Sequence, residues 1–560
     1  MRHFSFPHHT GYDQRGSAKA VTESSSALRP DSEPLGSGEI RSLAIIIACG
    51  LLVRMALFIG YQGFDDRTYI SYAWYVAHGG SIVRAVLLDH WIGRPGAWVP
   101  MAVAIKLFGN AEWVYCLYSL VTSLASFVVL FVLGRFLLGP RTALYGAALL
   151  VFLPIDVFYG TRAYADEALG LWNVAAFTAF VFAVRYGGTW PAILTGLLTG
   201  VAFATKETSL LIAVPFILIL LQYRVFSVHS LALIVTGFLA AFSLELIFWQ
   251  VATGDAFYRF HALAAMRHEV VPASRAVTTF WDWIPGPPPG TVVRSGNSVA
   301  EAVLVFLTKA DWGLLFFYVF PIAMAALIGK NTGRKTLAIF VLSIAALLLF
   351  FPVFFPYFTL PRDPRYFTII SIPALLLFAD WALNLRRPLR VLAFGSLLLS
   401  WIPCLYVGWV SSSIDTDRAF AAYVKHDAKD TVWMGNLDAS NVIILSGFDP
   451  TLKIGILAPP GARASGVLSQ AMSSPNRAMK PDALIARTPY DLKGQLVAFS
   501  DNSPAGEGWT LTRTFSARPA LVARYVQQIL TAFRVPKIMV DKVAPSQGKT
   551  IRLFRTADGP

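Results

Sequence analysis

Between residues 42 and 410 the chain returns again and again to apolar runs of membrane-crossing length. They fall at 42–61, 113–134, 142–159, 166–184, 190–204, 207–222, 229–250, 312–328, 336–354, 366–384 and 391–410. A helix needs about 20 mostly apolar residues to cross the hydrocarbon core, slightly fewer where flanking side chains snorkel. Composition agrees, since 55% of the residues are hydrophobic and 14% charged, whereas a soluble chain carries about a quarter charged. The expected fold is a polytopic α-helical membrane protein with about 11 transmembrane helices.

Charge orders the runs. Short loops on one side hold Arg135, Arg141, Arg185, Arg224, Lys330, Arg334 and Arg386 and no acid. The opposite loops hold Asp65, Asp66, Asp89, Glu112, Asp166, Glu167, Glu207, Asp255, Glu269, Asp282 and Asp363. Basic loops stay cytoplasmic. The N-terminus is therefore expected inside, with the acids and everything after residue 410 outside. The net charge of +14 is then partly a topology signal, and nucleic acid is excluded as a partner. The expected location is a plasma membrane, the inner one in a bacterium. Cys49, Cys116 and Cys404 all lie in apolar runs and form no disulfide or metal framework.

Residues 1–41, rich in Ser, Gly, Pro and His, read as a disordered cytoplasmic tail. Residues 42–410 form the membrane domain, with long outer loops at 62–112 and 251–311. Within the first loop, "GRPGAWVPMAVAIKLFG" is apolar but too short to cross, which suits an interfacial helix. From 411 to 560 the pattern changes: "NVIILSG", "KIGIL", "QLVAFS", "KIMVDKV" and "TIRLF" read as strands, and "DRAFAAYVKHD" and "PALVARYVQQILTAF" as helices. A small soluble α/β domain outside the membrane is expected.

The candidate chemistry lies in the outer loops. Asp65 and Asp66 follow the first run and precede a tyrosine-rich helix. An aspartate there caps the helix and suits its dipole; equally, a carboxylate there can take a proton from an incoming hydroxyl. Both roles are compatible in an adjacent pair. Asp166 and Glu167 open a later run, where capping is again the plain account. Lys206 and Glu207 lie in a hairpin, as a salt-bridged turn or as a cation for phosphate. Arg365 and Tyr366 precede another run, and Arg94 is fixed by Pro95; a guanidinium fork suits phosphate. Tyr69 and Tyr258 are candidate pocket residues beside Glu167. All lie at one lipid–water boundary. A hydroxyl reacting there with a lipid-linked phosphate ester needs a base, cations for the leaving phosphate and an apolar groove. Arg54 and Glu245 alone lie deep in the runs.

The order of these signals resembles the membrane glycosyltransferases with the C-type fold, in the protein O-mannosyltransferase and aminoarabinose-transferase superfamily. The residues that carry it are Arg54, the stretch from Asp65 to Gly80, "GRPGAWVPMAVAIKLFG", "GTRAYADEALGLW", "ATKETSLL" and "RYFTIISIP", covering roughly residues 42–384. The resemblance implies an inverting transfer of a sugar from a polyprenyl-phosphate donor to a hydroxyl of a glycan, lipid or protein. It implies that Asp65 is the catalytic or acceptor-binding carboxylate, with Asp166 supporting it and Arg94, Lys206, Arg365 and Tyr366 on the donor phosphate. This chain departs in having Asp66 where Glu is frequent, and in placing its cation at Arg67. No cofactor is implied; a divalent metal stays open, as no His, Cys or Asp cluster has ligand spacing and His261 and His268 are loosely placed. The alternatives are a lipid-linked sugar flippase, which needs a polar path through the membrane, and a non-catalytic glycan-assembly component. Intact ion pairs with no open cavity would suit the latter.

Overall fold

In the computed structural model, the described residues are 35–63, 65–80, 92–223, 228–262, 307, 311–354, 364–411, 414–457, 486–487, 495–500, 509–516, 521–532, 534 and 550–556. Six helices among them are long and apolar enough to cross a membrane: Glu112–Leu138, Ala165–Tyr186, Val228–Thr253, Thr332–Leu349, Arg365–Leu383 and Arg387–Tyr406. Shorter apolar helices run over Pro95–Phe108, Thr189–Thr205, Glu207–Tyr223 and Leu315–Ile328. The chain is an integral membrane protein. Asp89, His268, Glu269, Asp282, Asp363 and the run "KIMVDKV" lie outside the described residues.

Burial ranks the helices. Ala165–Tyr186 and Arg365–Leu383 are 78% and 89% buried over their apolar windows, against 11% for Val228–Thr253. The first two are the centre of the bundle, and the third faces outward. The expected run 142–159 is not one helix. It divides into Pro140–Leu150 and Pro154–Tyr159, with Leu153 extended at ψ 115° between them. Pro154 has no N–H to give and turns the residue before it away from the helix.

The two ends of the bundle differ chemically. Asp166 and Arg185 lie at opposite ends of one helix, as do Arg365 and Asp380 of another. At the Arg185 end a groove of about 840 Å³ is lined by Arg135, Arg185, Tyr223 and Asp380, among others. Asp380 pairs with Arg334 there. At the other end, helix Asp65–Ala77 packs on helix Pro95–Phe108 and on the C-terminal region.

The C-terminal region carries a six-stranded sheet in the order β3-β2-β1-β4-β6-β5. Its strands are β1 Val432–Met434, β2 Ile454–Leu457, β3 Ala486–Arg487, β4 Leu496–Ser500, β5 Trp509–Ser516 and β6 Thr550–Thr556. The first four pair in parallel, and β6 pairs antiparallel with β4 and β5. "NVIILSG", expected as a strand, lies mostly in the helix Asn436–Leu445. Val442, Ile443 and Ile444 are all buried there, so tertiary packing overrides the β-branched preference. One continuous apolar core joins Tyr69, Ile70 and Tyr115 to Phe420, Ile443 and Phe448.

Candidate active site

Each candidate side chain lies at an element boundary. Asp65 and Asp66 form the first turn of the Asp65–Ala77 helix, and Asp166 and Glu167 that of Ala165–Tyr186. Lys206 follows the Thr189–Thr205 helix in extended conformation, with Glu207 opening a 3-10 turn. Arg365 and Tyr366 occupy another 3-10 turn, Pro364–Phe367. Arg94 precedes Pro95 at a helix start, where proline fits because that N–H has no helical partner. Gly96 brings this helix against Thr205: a Cβ would lie 2.6 Å from Thr205 Oγ1 and 2.7 Å from its backbone nitrogen. Any larger residue would push Arg94 away from the Lys206–Glu207 turn.

The adjacent aspartates do different things. Asp66 is fully buried, and its Oδ2 accepts the Gln62 N–H at 2.5 Å, closing the turn before the helix. Asp65 is part-exposed and pairs with Arg365 Nη1. Lys206 Nζ donates to Asp166 Oδ1 at 2.5 Å and stands 3.9 Å from the centroid of the Tyr366 ring. Arg365 lies 5.7 Å from the same ring. Thr368 Oγ1 donates to the Asp166 carbonyl at 3.0 Å and to the Arg365 carbonyl at 2.9 Å. Asp65, Asp166, Lys206, Arg365 and Tyr366 therefore form one cluster.

Arg94 joins a second chain of charges. Its Nε and Nη2 donate to Glu207 at 3.1 and 2.5 Å, and its Nη1 donates to Tyr69 Oη at 3.0 Å. Glu207 also meets Arg259 at 3.3 Å, which bonds Glu245 at 2.8 Å. Burial opposes charge on Arg94, but Tyr69 and Glu207 outweigh it and hold the guanidinium protonated. Burial likewise pushes the Tyr69 phenol above its ordinary range, with Arg94 only partly offsetting it. Lys206 and Glu207 do not pair with each other as a simple turn would; each finds a partner across the site.

Two candidates fall elsewhere. Glu167 lines a small pocket with Asp156, which takes Arg54 and Ser123. Tyr258 packs on Trp249 with ring centroids 5.0 Å apart. Arg259 and Asp156 were not singled out by their sequence context. Signals existed for both: Glu245 and Arg54 are ionic residues deep in apolar runs and require partners, and Asp156 is the sole acid of the run 142–159. His261 pairs with Asp255 at 2.7 Å. Among the described residues no three His, Cys, Asp or Glu groups gather as a metal site.

Several known proteins are similar to this chain. Residues 95–249 match the family model described as dolichyl-phosphate-mannose-protein mannosyltransferase. Over 169 residues the chain is 30% identical to the undecaprenyl phosphate-alpha-4-amino-4-deoxy-L-arabinose arabinosyl transferase of Edwardsiella ictaluri. That stretch spans 29% of this chain and 29% of that relative. The crystal structure of ArnT from Cupriavidus metallidurans bound to undecaprenyl phosphate superposes with a TM-score of 0.52 at 15% identity, covering 82% of this chain and 93% of that one. Its apo state gives a TM-score of 0.52 at 15% identity, over 83% and 93%. The fold is thus that of the ArnT structures. Over those stretches the chain is similar to the mannosyltransferase family and to the arabinosyl transferase.

Proposed function

We propose that the protein is an inverting glycosyltransferase moving a sugar from a polyprenyl-phosphate donor to a hydroxyl acceptor at the outer face of the membrane. The observation that carries this reading is the meeting of Asp65–Arg365 and Asp166–Lys206 around Tyr366. Two carboxylates and two cations from four separate chain segments converge at one end of the bundle.

In the proposed reaction the acceptor oxygen attacks the anomeric carbon opposite the phosphate, and Asp65 takes its proton. The bond from that carbon to the phosphate oxygen breaks, and the polyprenyl phosphate leaves with the electron pair. Lys206, Arg365 and Arg94, with Tyr366, take up the negative charge. Arg365 holds one Asp65 carboxylate oxygen. An entering phosphate competes for Arg365 and Lys206, and that exchange frees Asp65. Binding of the donor thereby switches on the base. Tyr69 holds Arg94 in the pocket, Asp166 supports Lys206, and Asp66 shapes the turn.

Turnover separates this reading from that of a non-catalytic assembly component. The relative's name makes an aminopentose on undecaprenyl phosphate the first donor to try, with hexosyl donors next. The reading includes eleven spans, a cytoplasmic N-terminal tail over 1–41, a catalytic membrane domain over 42–410 and an extracytoplasmic α/β domain over 411–560 in an inner membrane. The test is transfer by purified protein, with the donor identified from the lipid-linked sugar that accumulates when the protein is deleted. Asp65→Asn should abolish transfer and leave folding intact; wild-type transfer by that variant would remove Asp65 as the base.

A further inference from the structure

Arg162 is a charged group at this site with no acid bonded to it. Arg94, Lys206, Arg259 and Arg365 each meet a carboxylate, whereas among the described residues none bonds Arg162. Its Nε is buried without a hydrogen-bond partner. Its contacts are aromatic: the guanidinium carbon stands 4.3 Å from the centroid of the Tyr164 ring and 5.6 Å from that of Tyr159. Desolvating a guanidinium while leaving donors unmade costs stability, and stacking on tyrosine returns only part of that.

Its position is fixed from both sides. The neighbouring Thr161 takes the Gly60 N–H on its carbonyl at 3.0 Å and the Ile59 N–H on its hydroxyl at 3.4 Å. The Arg162 loop is therefore stitched to the segment that leads into Asp65 and Asp66. Arg162 lies within electrostatic reach of Asp66 and Arg365, and Arg365 lies 5.5 Å from the opposite partner in the stack, the Tyr164 ring. Two guanidinium groups thus border one aromatic ring beside the acidic pair. Like charges held together in a partly buried place call for an anion between them.

We propose that Arg162 is a phosphate-binding residue that, with Arg365, holds the phosphate of the polyprenyl carrier. The tyrosine fixes the plane of the guanidinium and leaves its edge donors for two phosphate oxygens. Because Arg162 surrenders no carboxylate, it engages the phosphate first, and Arg365 follows by exchanging Asp65 for it. This rests on the polyprenyl-phosphate reading above.

The test is binding of undecaprenyl phosphate and of undecaprenol to the full-length protein in detergent, followed by intrinsic tryptophan fluorescence. The wild type should prefer the phosphate. Arg162→Gln should weaken undecaprenyl phosphate by about 10-fold or more and leave undecaprenol unchanged, with Arg162→Lys falling between. Unliganded melting temperatures of both variants check that the fold persists, and the Lys variant keeps the test sharp if Gln does not fold. Undiminished binding of undecaprenyl phosphate by folded Arg162→Gln overturns the inference alone. So does an effect confined to the KM of the acceptor, or equal protection by inorganic phosphate and the lipid. A wild type that fails to distinguish the phosphate from the alcohol overturns the polyprenyl-phosphate reading together with it.

Discussion

Lys206 Nζ lies 2.5 Å from Asp166 Oδ1, with the two side chains only 3% and 2% exposed. Such a pair is a poor source of net stability but costly to break, because the survivor is a buried charge; the loss is about 3–5 kcal/mol. Lys206→Met and Asp166→Asn should each lower the melting temperature in detergent and abolish transfer. The double variant Lys206→Met/Asp166→Leu should recover most of the stability and none of the activity. Recovery of both would make the pair a structural tie only.

The membrane class and the grouping of acids at one end were legible because both are written in composition and loop charge. The partnerships were not. Asp65 meets Arg365 across 300 positions of sequence, and local pattern carries no information on such a pairing. Asp65 and Asp66 read alike in the sequence; only the turn at Gln62 decides which one faces inward. The helix Asn436–Leu445 was misread for the same reason: its β-branched residues answer to the core they enter rather than to local preference.

Tyr69 yields a test in pH. Burial raises its phenol above the ordinary value of 10.0, and the Arg94 bond persists beside it. With the folded value raised, the neutral form is the one the fold prefers. The stability this confers is complete below pH 10 and is lost as pH rises through the raised value. Melting temperatures followed from pH 8 to about pH 11 should therefore fall more steeply for the wild type than for Tyr69→Phe. Parallel curves would mean that the phenol ionises freely.

The C-terminal region grips the segment before Asp65. Arg418 donates to both oxygens of Glu112, at 2.7 and 3.1 Å, and to the Ile59 carbonyl at 2.8 Å. Glu112 in turn accepts the Tyr61 N–H at 2.9 Å, and the Tyr61 hydroxyl donates to Asn441 at 2.8 Å. Between them Gly60 has φ +77°, and a Cβ there would strike the Glu112 carboxylate. Arg418→Met should cost about 1 kcal/mol, since the pair is partly exposed. It should also speed hydrogen exchange at the amides of residues 59–62 and reduce kcat more than donor KM. Unchanged exchange there would mean that the grip does not hold the turn before Asp65.

Arg54 is fully buried and binds Asp156, Ser123 at 2.6 Å and the Gly50 carbonyl at 3.0 Å. Glu167, the residue after Asp166 in its helix, lines a small pocket with Asp156, which stands two residues after Pro154. The network thus ties the helix Ser37–Ala56 to the segments on either side of Asp166. Arg54→Met strands a carboxylate in the bundle and should lower stability by about 3–5 kcal/mol. Arg54→Met/Asp156→Leu removes both charges and should regain most of that. If the network also sets the position of Asp166, the double variant stays slow in transfer even at temperatures where it is fully folded. Full activity from that variant would confine the Arg54 network to stability.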